Sequence, residues 1–287
     1  MSNVSEPIQG TISALYIYPV KSCAGLKTGQ TTVQSTGLAF DREWMVVDTN
    51  GHFLTQRAHP RMALIQPHLT TVDGVDGLTL SAPGMNDFTL IAPDSPVRLM
   101  VKIWRDSMPA LDMGDQAVEW LSDFLGTACR LVRFDKREHR ICDPEWTRNK
   151  ETSTHFADGF PLLVLSAAAI AHLNRRMSEA GRATVDVSRF RPNIVVSDWP
   201  AHLEDEVSGL AAQDVALRFV KPCTRCAIPD IDPLTGLVTN RVNDILRDYR
   251  RDARMKGALT FGMNAVITRG VGETLKTGQV VYSDDPV

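Results

Sequence analysis

REWMVVDTNGHFLTQR, residues 42–57, reads as a β-hairpin. The apolar run 44–47 meets a turn at Asn50-Gly51, and FLTQ follows as the returning arm, ending at Arg57. Asn-Gly between apolar runs is a strong hairpin signal, because both residues accept the left-handed backbone of a two-residue turn. The same rhythm continues on either side. TISALYIYPV (11–20) alternates, is rich in β-branched and aromatic residues, and meets Pro19. MALIQPHLTTV (62–72), LTLSA (78–82), FTLIA (88–92) and RLMVKIW (98–104) follow as short strands, with turns at Asp73-Gly74, Asp76-Gly77 and Pro83-Gly84. Many short strands separated by Gly and Pro turns predict a barrel or sandwich.

Helices enter later. DQAVEWLSDFLG (115–126) has Asp115 as its expected N-cap, Val118, Leu121 and Leu125 on one face, and Gly126 as its stop. Residues 135–157 are polar and charged and read as a long loop. PLLVL (161–165) is a buried strand, and Ser166 caps a helix that closes at Gly181. RFRPNIVVS (189–197) and VALRFVKPC (215–223) are strands, 239–251 a helix, and 259–270 and 278–283 strands again. The domain boundary is expected after residue 126. No repeat or low-complexity tract occurs.

The chain has 287 residues, a formal charge of -3 and a pI near 6.2, so nothing draws it globally to nucleic acid or anionic lipid. An anion site must be built locally. The start MSNVSEPIQG lacks the pattern of a secretory leader, and no stretch reaches the ~18 apolar residues of a membrane span. A cytoplasmic protein with no membrane contact is expected. Five cysteines, an odd number scattered over a long chain, are not a disulfide scaffold. No second Cys-x-x-Cys pair or plant-type ferredoxin spacing occurs, so an intrinsic iron–sulfur cluster is not expected.

Chemistry concentrates in KPCTRCAIPDIDPLTG, residues 221–236. This segment leaves a strand, carries Cys223 and Cys226 around Thr224 and Arg225, and breaks at Pro229. A guanidinium beside a sulfur favours the thiolate, and thiolates bind metals well. Half of a zinc site is another reading, but zinc wants four ligands and no partner pair exists. A thioredoxin-type pair opens a helix, whereas a turn follows here. An inert buried thiol stays open for Cys223, less so for Cys226.

Cations recur at strand ends: Lys21-Ser22 in YPVKSC, Arg57 in TQR, and Arg191 and Asn193 around Pro192 in RFRPN. Such groups bind a phosphate or a heterocycle edge, and singly they read equally as solvated surface. Asp158 in FADGFP is either an Asx-turn or a functional carboxylate. The seven histidines show no metal spacing, and no dinucleotide, Walker or nucleophile-elbow motif occurs. The basic residues Lys136, Arg137, Arg140, Arg148 and Lys150 form either a solvated loop or a dock for an acidic electron carrier.

YPVKSCAG, LAFDREWMVVD, FLTQRAHPRM, HFADGFPLLVLSAAAIAHLN, FRPNIVVS, KPCTRCAIPDIDPLTG and FGMNAV occur in this order over nearly the whole chain. Together they resemble the MOSC-domain proteins with an N-terminal MOSC β-barrel domain, the group of the mitochondrial amidoxime-reducing components and their bacterial counterparts. The resemblance implies a β-rich α+β fold, with a MOSC N-terminal β-barrel domain over 1–126 and a cofactor-ligating MOSC β-barrel domain over 127–287. It implies molybdenum cofactor, a phosphate-bearing pyranopterin dithiolene, with Cys226 as the molybdenum ligand. Cofactor contacts are implied at Lys21, Ser22, Arg57, Arg191, Asn193, Thr224 and Asn264. Asp158 matches an acidic residue near the metal, a proton donor or water organiser.

Departures from the pattern matter as well. Gly159 stands where some relatives carry Thr, so no side-chain contact is carried there. Pro229-Asp230 stands where many carry Thr-Thr or Pro-Thr, which would add a carboxylate near the pocket. The implied activity is two-electron reduction of small N-hydroxylated substrates: amidoximes, hydroxylamines or N-hydroxylated bases. Without a ferredoxin domain, electrons are expected from a separate ferredoxin, flavoprotein or cytochrome b5-like protein. The alternatives are a non-catalytic carrier of the cofactor or of persulfide sulfur on Cys226, or another oxotransferase reaction on sulfoxides or nitrite.

Overall fold

The computed structural model describes residues 6–93, 96–148, 150–239 and 241–283. The leaderless reading of the N-terminus falls partly on residues 1–5, outside that range.

Seven strands close on themselves in the order Leu162–Ser166, Ile194–Ser197, Gln9–Ile17, Val280–Ser283, Gly209–Ala212, Val215–Thr224 and Ala258–Arg269. The ring shuts where Leu162, Leu163 and Val164 pair with Ala265, Asn264 and Met263. Its interior is filled by aliphatic side chains, among them Ile12, Leu15, Val164, Val196, Leu217 and Ala265. Such a filled interior is what a small barrel requires. In Gln9–Ile17 the inside/outside alternation slips between Ile12 and Ala14, where the register shifts, so the neighbours Ala14 and Leu15 are both buried. One parallel pair, Leu162–Ser166 with Ile194–Ser197, is bridged by the helix Ala167–Glu179. Parallel strands need such a crossover. Leu173 and Met177 of that helix pack with Leu165 and Phe261 outside the barrel.

The other half holds two sheets around one core. A four-stranded sheet runs Trp44–Asp48, Cys129–Phe134, Asp106–Asp112, Arg98–Ile103, and a three-stranded sheet runs Gln66–Val72, Val75–Ser81, Phe88–Ile91. Val46, Leu78, Leu80 and Leu131 of these sheets meet Leu121 and Phe124 of the helix Asp115–Leu125. The fold is α+β and strongly β-rich, as read from the sequence.

Local differences have local causes. The returning arm of the 42–57 hairpin is a single bridge, Val47 to Phe53. Asp48 Oδ1 accepts from Asn50 N and His52 N, which tightens the turn. The chain then curls at residues 55–59, where Thr55 O accepts from Ala58 N and His59 N. Arg57 therefore lies in a turn and not at a strand end. Gly114 (φ +92), not Asp115, is the cap of the first helix, and Asp115 instead accepts from Arg130 Nη2 at 3.1 Å. The helix expected over 239–251 shrinks to Val242–Leu246, and Arg251–Asp252 pairs with Ala258 and Leu259. Residue 240 lies outside the described residues. The long loop 135–157 carries one helical turn, Pro144–Thr147. Gln9–Ile17 precedes residue 126 in the chain but belongs to the barrel built after it. No helix among the described residues is long and apolar enough to cross a membrane.

Candidate functional site

Cys226 sits just past the end of Val215–Thr224, and its turn is held from behind. Asn243 Nδ2 donates to the Cys226 carbonyl at 2.8 Å. The buried Arg189 donates to Pro229 O at 3.3 Å, Asp232 Oδ2 at 3.0 Å and Thr239 Oγ1 at 3.1 Å. The backbone is fixed while the thiol remains exposed. Cys223 is partly covered, and burial pushes its thiol up from the usual range.

Arg225 does not face the thiol. Its guanidinium donates to the carbonyls of Phe261 and Phe190 and lies over the Phe190 ring. Arg57, 169 residues away in sequence, supplies the charge beside the sulfur, with Nη1 at 3.5 Å from Cys226 Sγ. Asp230 is likewise turned away: its carboxylate accepts from Asn243 N and Nδ2. Pro229, not Asp230, lines the cleft, so the extra carboxylate expected there is absent from its wall.

Across from the thiol, Lys21 is buried and Ser22 follows it in the left-handed region at φ +65. Strained non-glycine backbone of this kind clusters at functional sites. Lys21 Nζ donates to Asp158 Oδ1 at 2.6 Å and to Phe156 O at 2.8 Å. Burial pulls the Lys21 ammonium down to about 8, against the opposing pull of Asp158. Asp158 is 67% exposed along its side chain. Desolvation by the cleft walls opposes its ionisation, but Lys21, the Trp104 indole and Arg57 outweigh this and hold it well below the usual carboxylate range. An ionised Asp158 has no proton to donate.

Arg140, read as part of a basic loop, is buried. It pairs with Asp106 at 2.7 Å and donates to the carbonyls of His155, Ala157 and Asp158. It straps the segment that carries Asp158. Arg137 is paired with Asp135 at 2.7 Å, so the basic loop is less of a free patch than its composition implies.

Arg191 (φ +56) donates to Cys23 O at 2.6 Å, and its guanidinium and that of Arg42 lie 4.3 and 4.2 Å from the Tyr18 ring. Burial, with the charge of Arg42 adding to it, pulls Arg191 down to about 10. Asn193 is buried, and its amide is largely engaged. Oδ1 accepts from Leu163 N and Arg42 Nη1, and Nδ2 donates to Tyr16 O. It ties three segments together more than it reaches into the cleft. Asn264 Nδ2 donates to Lys221 O at 3.0 Å. Thr224 is exposed at the end of its strand.

All nine residues picked from the sequence line one cleft, with about 840 Å³ of empty space counting its open mouth. Six cationic side chains and one carboxylate line it. Arg57, Arg191 and Arg225 have no carboxylate partner among the described residues. All three are half-buried in the cleft wall, and a bound anion would offset the cost of holding such unneutralised cations partly out of water. A phosphate-bearing cofactor with a thiolate-accepting metal therefore fits this donor set. No cluster of three or more His, Cys, Asp or Glu suited to a metal occurs among the described residues.

The sequence reading missed Arg42, Arg189 and Trp104. Arg42 and Arg189 carried no spacing signal, and Trp104 lay at what read as a strand end.

Residues 9–128 match the MOSC N-terminal beta barrel domain, and residues 151–287 match the MOSC domain. Mitochondrial amidoxime-reducing component 1 of Mus musculus is 34% identical over 251 residues, covering 84% of this chain and 72% of that protein. Its Homo sapiens counterpart is 32% identical over 290 residues, covering 95% and 82%. Molybdenum cofactor sulfurase of Homo sapiens is 27% identical over 267 residues, 88% of this chain but 29% of that protein.

Proposed function

The chain belongs to the MOSC family, with a MOSC N-terminal beta barrel domain ahead of a MOSC domain, and from that premise we propose a molybdenum-cofactor-dependent reductase of N-hydroxylated compounds. One observation carries the reading. The exposed Cys226 sulfur and three cations without carboxylate partners among the described residues share a single cleft, in a chain whose relatives are named amidoxime-reducing components.

Cys226 would hold the molybdenum through Sγ. Lys21, Ser22 and Arg191 would hold the cofactor phosphate, and Arg57, Thr224 and Asn264 its heterocycle or its rim, with Asn193 keeping the strands beneath them in place. When bound, the cofactor supplies oxygen-atom removal from an N–OH group and relays two electrons. The balance is R–NHOH plus two electrons and two protons giving R–NH2 and water, with electrons from a separate redox protein. Ionised Asp158 accepts hydrogen bonds and orients water or the substrate N–OH. Lys21, drawn down to about 8 and bonded to Asp158, is a group beside it with a mobile proton near neutral pH.

The test is molybdenum content together with benzamidoxime reduction by the chemically reduced protein, purified from a host that makes the cofactor. The expected result is about one molybdenum per chain and turnover in the wild type, with both lost in Cys226→Ala. A loaded enzyme inert toward amidoximes and hydroxylamines overturns the reaction. A chain free of molybdenum and pterin overturns the cofactor.

The exposed thiol and the sulfurase likeness favour a second reading, a carrier of the cofactor or of persulfide sulfur. Mass spectrometry separates the two, because a persulfide adds one sulfur to Cys226.

A further inference from the structure

Trp104 occupies the two-residue turn between Arg98–Ile103 and Asp106–Asp112, where Ile103 pairs with Asp106. That turn has neither Gly nor Asn, and Trp104 takes φ +53. A bulky residue in the left-handed region is an outlier that needs compensation from its surroundings. The compensation is visible at the mouth of the cleft. The indole Nε1–H donates to Asp158 Oδ1 at 3.1 Å. The Arg57 guanidinium lies 4.8 Å from the ring centroid, and Phe53 backs the ring at 5.0 Å. Arg57 Nη1 in turn stands 3.5 Å from Cys226 Sγ. Arg57 forms no ion pair among the described residues, and its guanidinium rests against the ring and the sulfur.

We propose that Trp104 is a positioning residue: its ring holds the Arg57 guanidinium at the Cys226 sulfur, while its indole N–H tethers Asp158. The N-terminal half of the molecule thereby sets the charge felt by a thiol that belongs to the barrel. Arg57 Nη1, 3.5 Å from Cys226 Sγ, is thus a fixed positive charge placed against the sulfur. The role concerns the thiol itself and stands whether or not the cofactor reading holds.

The experiment is the rate of Cys226 alkylation by iodoacetamide in the full-length, cofactor-free chain, read by mass spectrometry of the Cys226 peptide. Arg57→Ala should slow it about fivefold, the effect of one unit charge at this distance in water. Trp104→Gly deletes the ring but suits the left-handed turn, so the hairpin persists. It should slow alkylation to the same extent although Arg57 is intact. Trp104→Phe keeps an aromatic face under the guanidinium and should stay within about twofold of wild type. The double variant Arg57→Ala/Trp104→Gly should be no slower than Arg57→Ala alone, since the two residues act as one unit. The proposal is overturned if Trp104→Gly reacts like wild type, if Arg57→Ala has no effect, or if the double variant slows further. Should Trp104→Gly fail to unfold cooperatively, Trp104→Asn, which also tolerates the turn, makes the same comparison.

Discussion

At the scale of single residues, burial of an ionisable side chain away from the cleft leaves a mark on stability. Glu204 is fully buried, and desolvation pushes its carboxyl up to about 7, with Ser166 pulling the other way. A raised carboxyl means that the folded chain binds more protons than the unfolded one between pH 4.5 and 7. The stability it contributes is full below pH 4.5 and is lost as pH rises through 7. Glu204→Gln should therefore gain on wild type by on the order of 2 kcal/mol between pH 5 and pH 8, read by urea unfolding at both values. Equal pH dependence in the two proteins would count against it. The chemistry of the site was legible at this scale in part. Cys226, Lys21, Arg57 and Arg191 stood out by type and by motif. The partner of the sulfur did not, because Arg225 adjoins it in sequence yet points at carbonyls, and Arg57 arrives from the other half.

At the scale of elements, two features hold the walls of the cleft. Gly262, in the strand Ala258–Arg269, has φ +79. A Cβ there would meet the Leu165 side chain and, at 2.8 Å, the Val164 carbonyl oxygen. Gly262→Ala should cost about 2–4 kcal/mol by strain and overpacking and disturb the seam that closes the barrel next to Asn264. Chemical denaturation checks it, and a cost under about 0.5 kcal/mol would show that the seam relaxes freely. Arg140 straps three carbonyls of residues 155–158 from a buried position. Arg140→Met leaves those carbonyls and Asp106 without their donor and should destabilise by about 3 kcal/mol. A solvated basic loop, the reading from composition, predicts almost no change in the same urea titration. Strands and turns were largely legible here, because alternation and Gly or Asn turns act over a few residues. The Trp104 turn was not, since it breaks the residue preference by which such turns are recognised.

At the scale of the whole molecule, the barrel is completed by its most N-terminal strand. Gln9–Ile17 pairs with both Ile194–Ser197 and Val280–Ser283. A fragment of residues 127–287 therefore lacks one of seven staves and exposes two strand edges and the apolar side chains that Ile12 and Leu15 cover, Val164, Val196 and Leu217 among them. It should show no cooperative urea transition, whereas the full chain should. A cooperative transition in the fragment would mean that the barrel closes without that strand. Sequence alone determined the β-rich class, most strand positions and the identities of nine of the residues that line the cleft, because propensity, turn chemistry and motif order are properties of short segments. Tertiary structure decided which cation meets the sulfur, that Asp158 is held ionised by Lys21 from 137 residues away, and that the first strand belongs to the second half of the molecule. Those outcomes depend on strand registry and barrel closure, which join distant segments through contacts that no local pattern encodes.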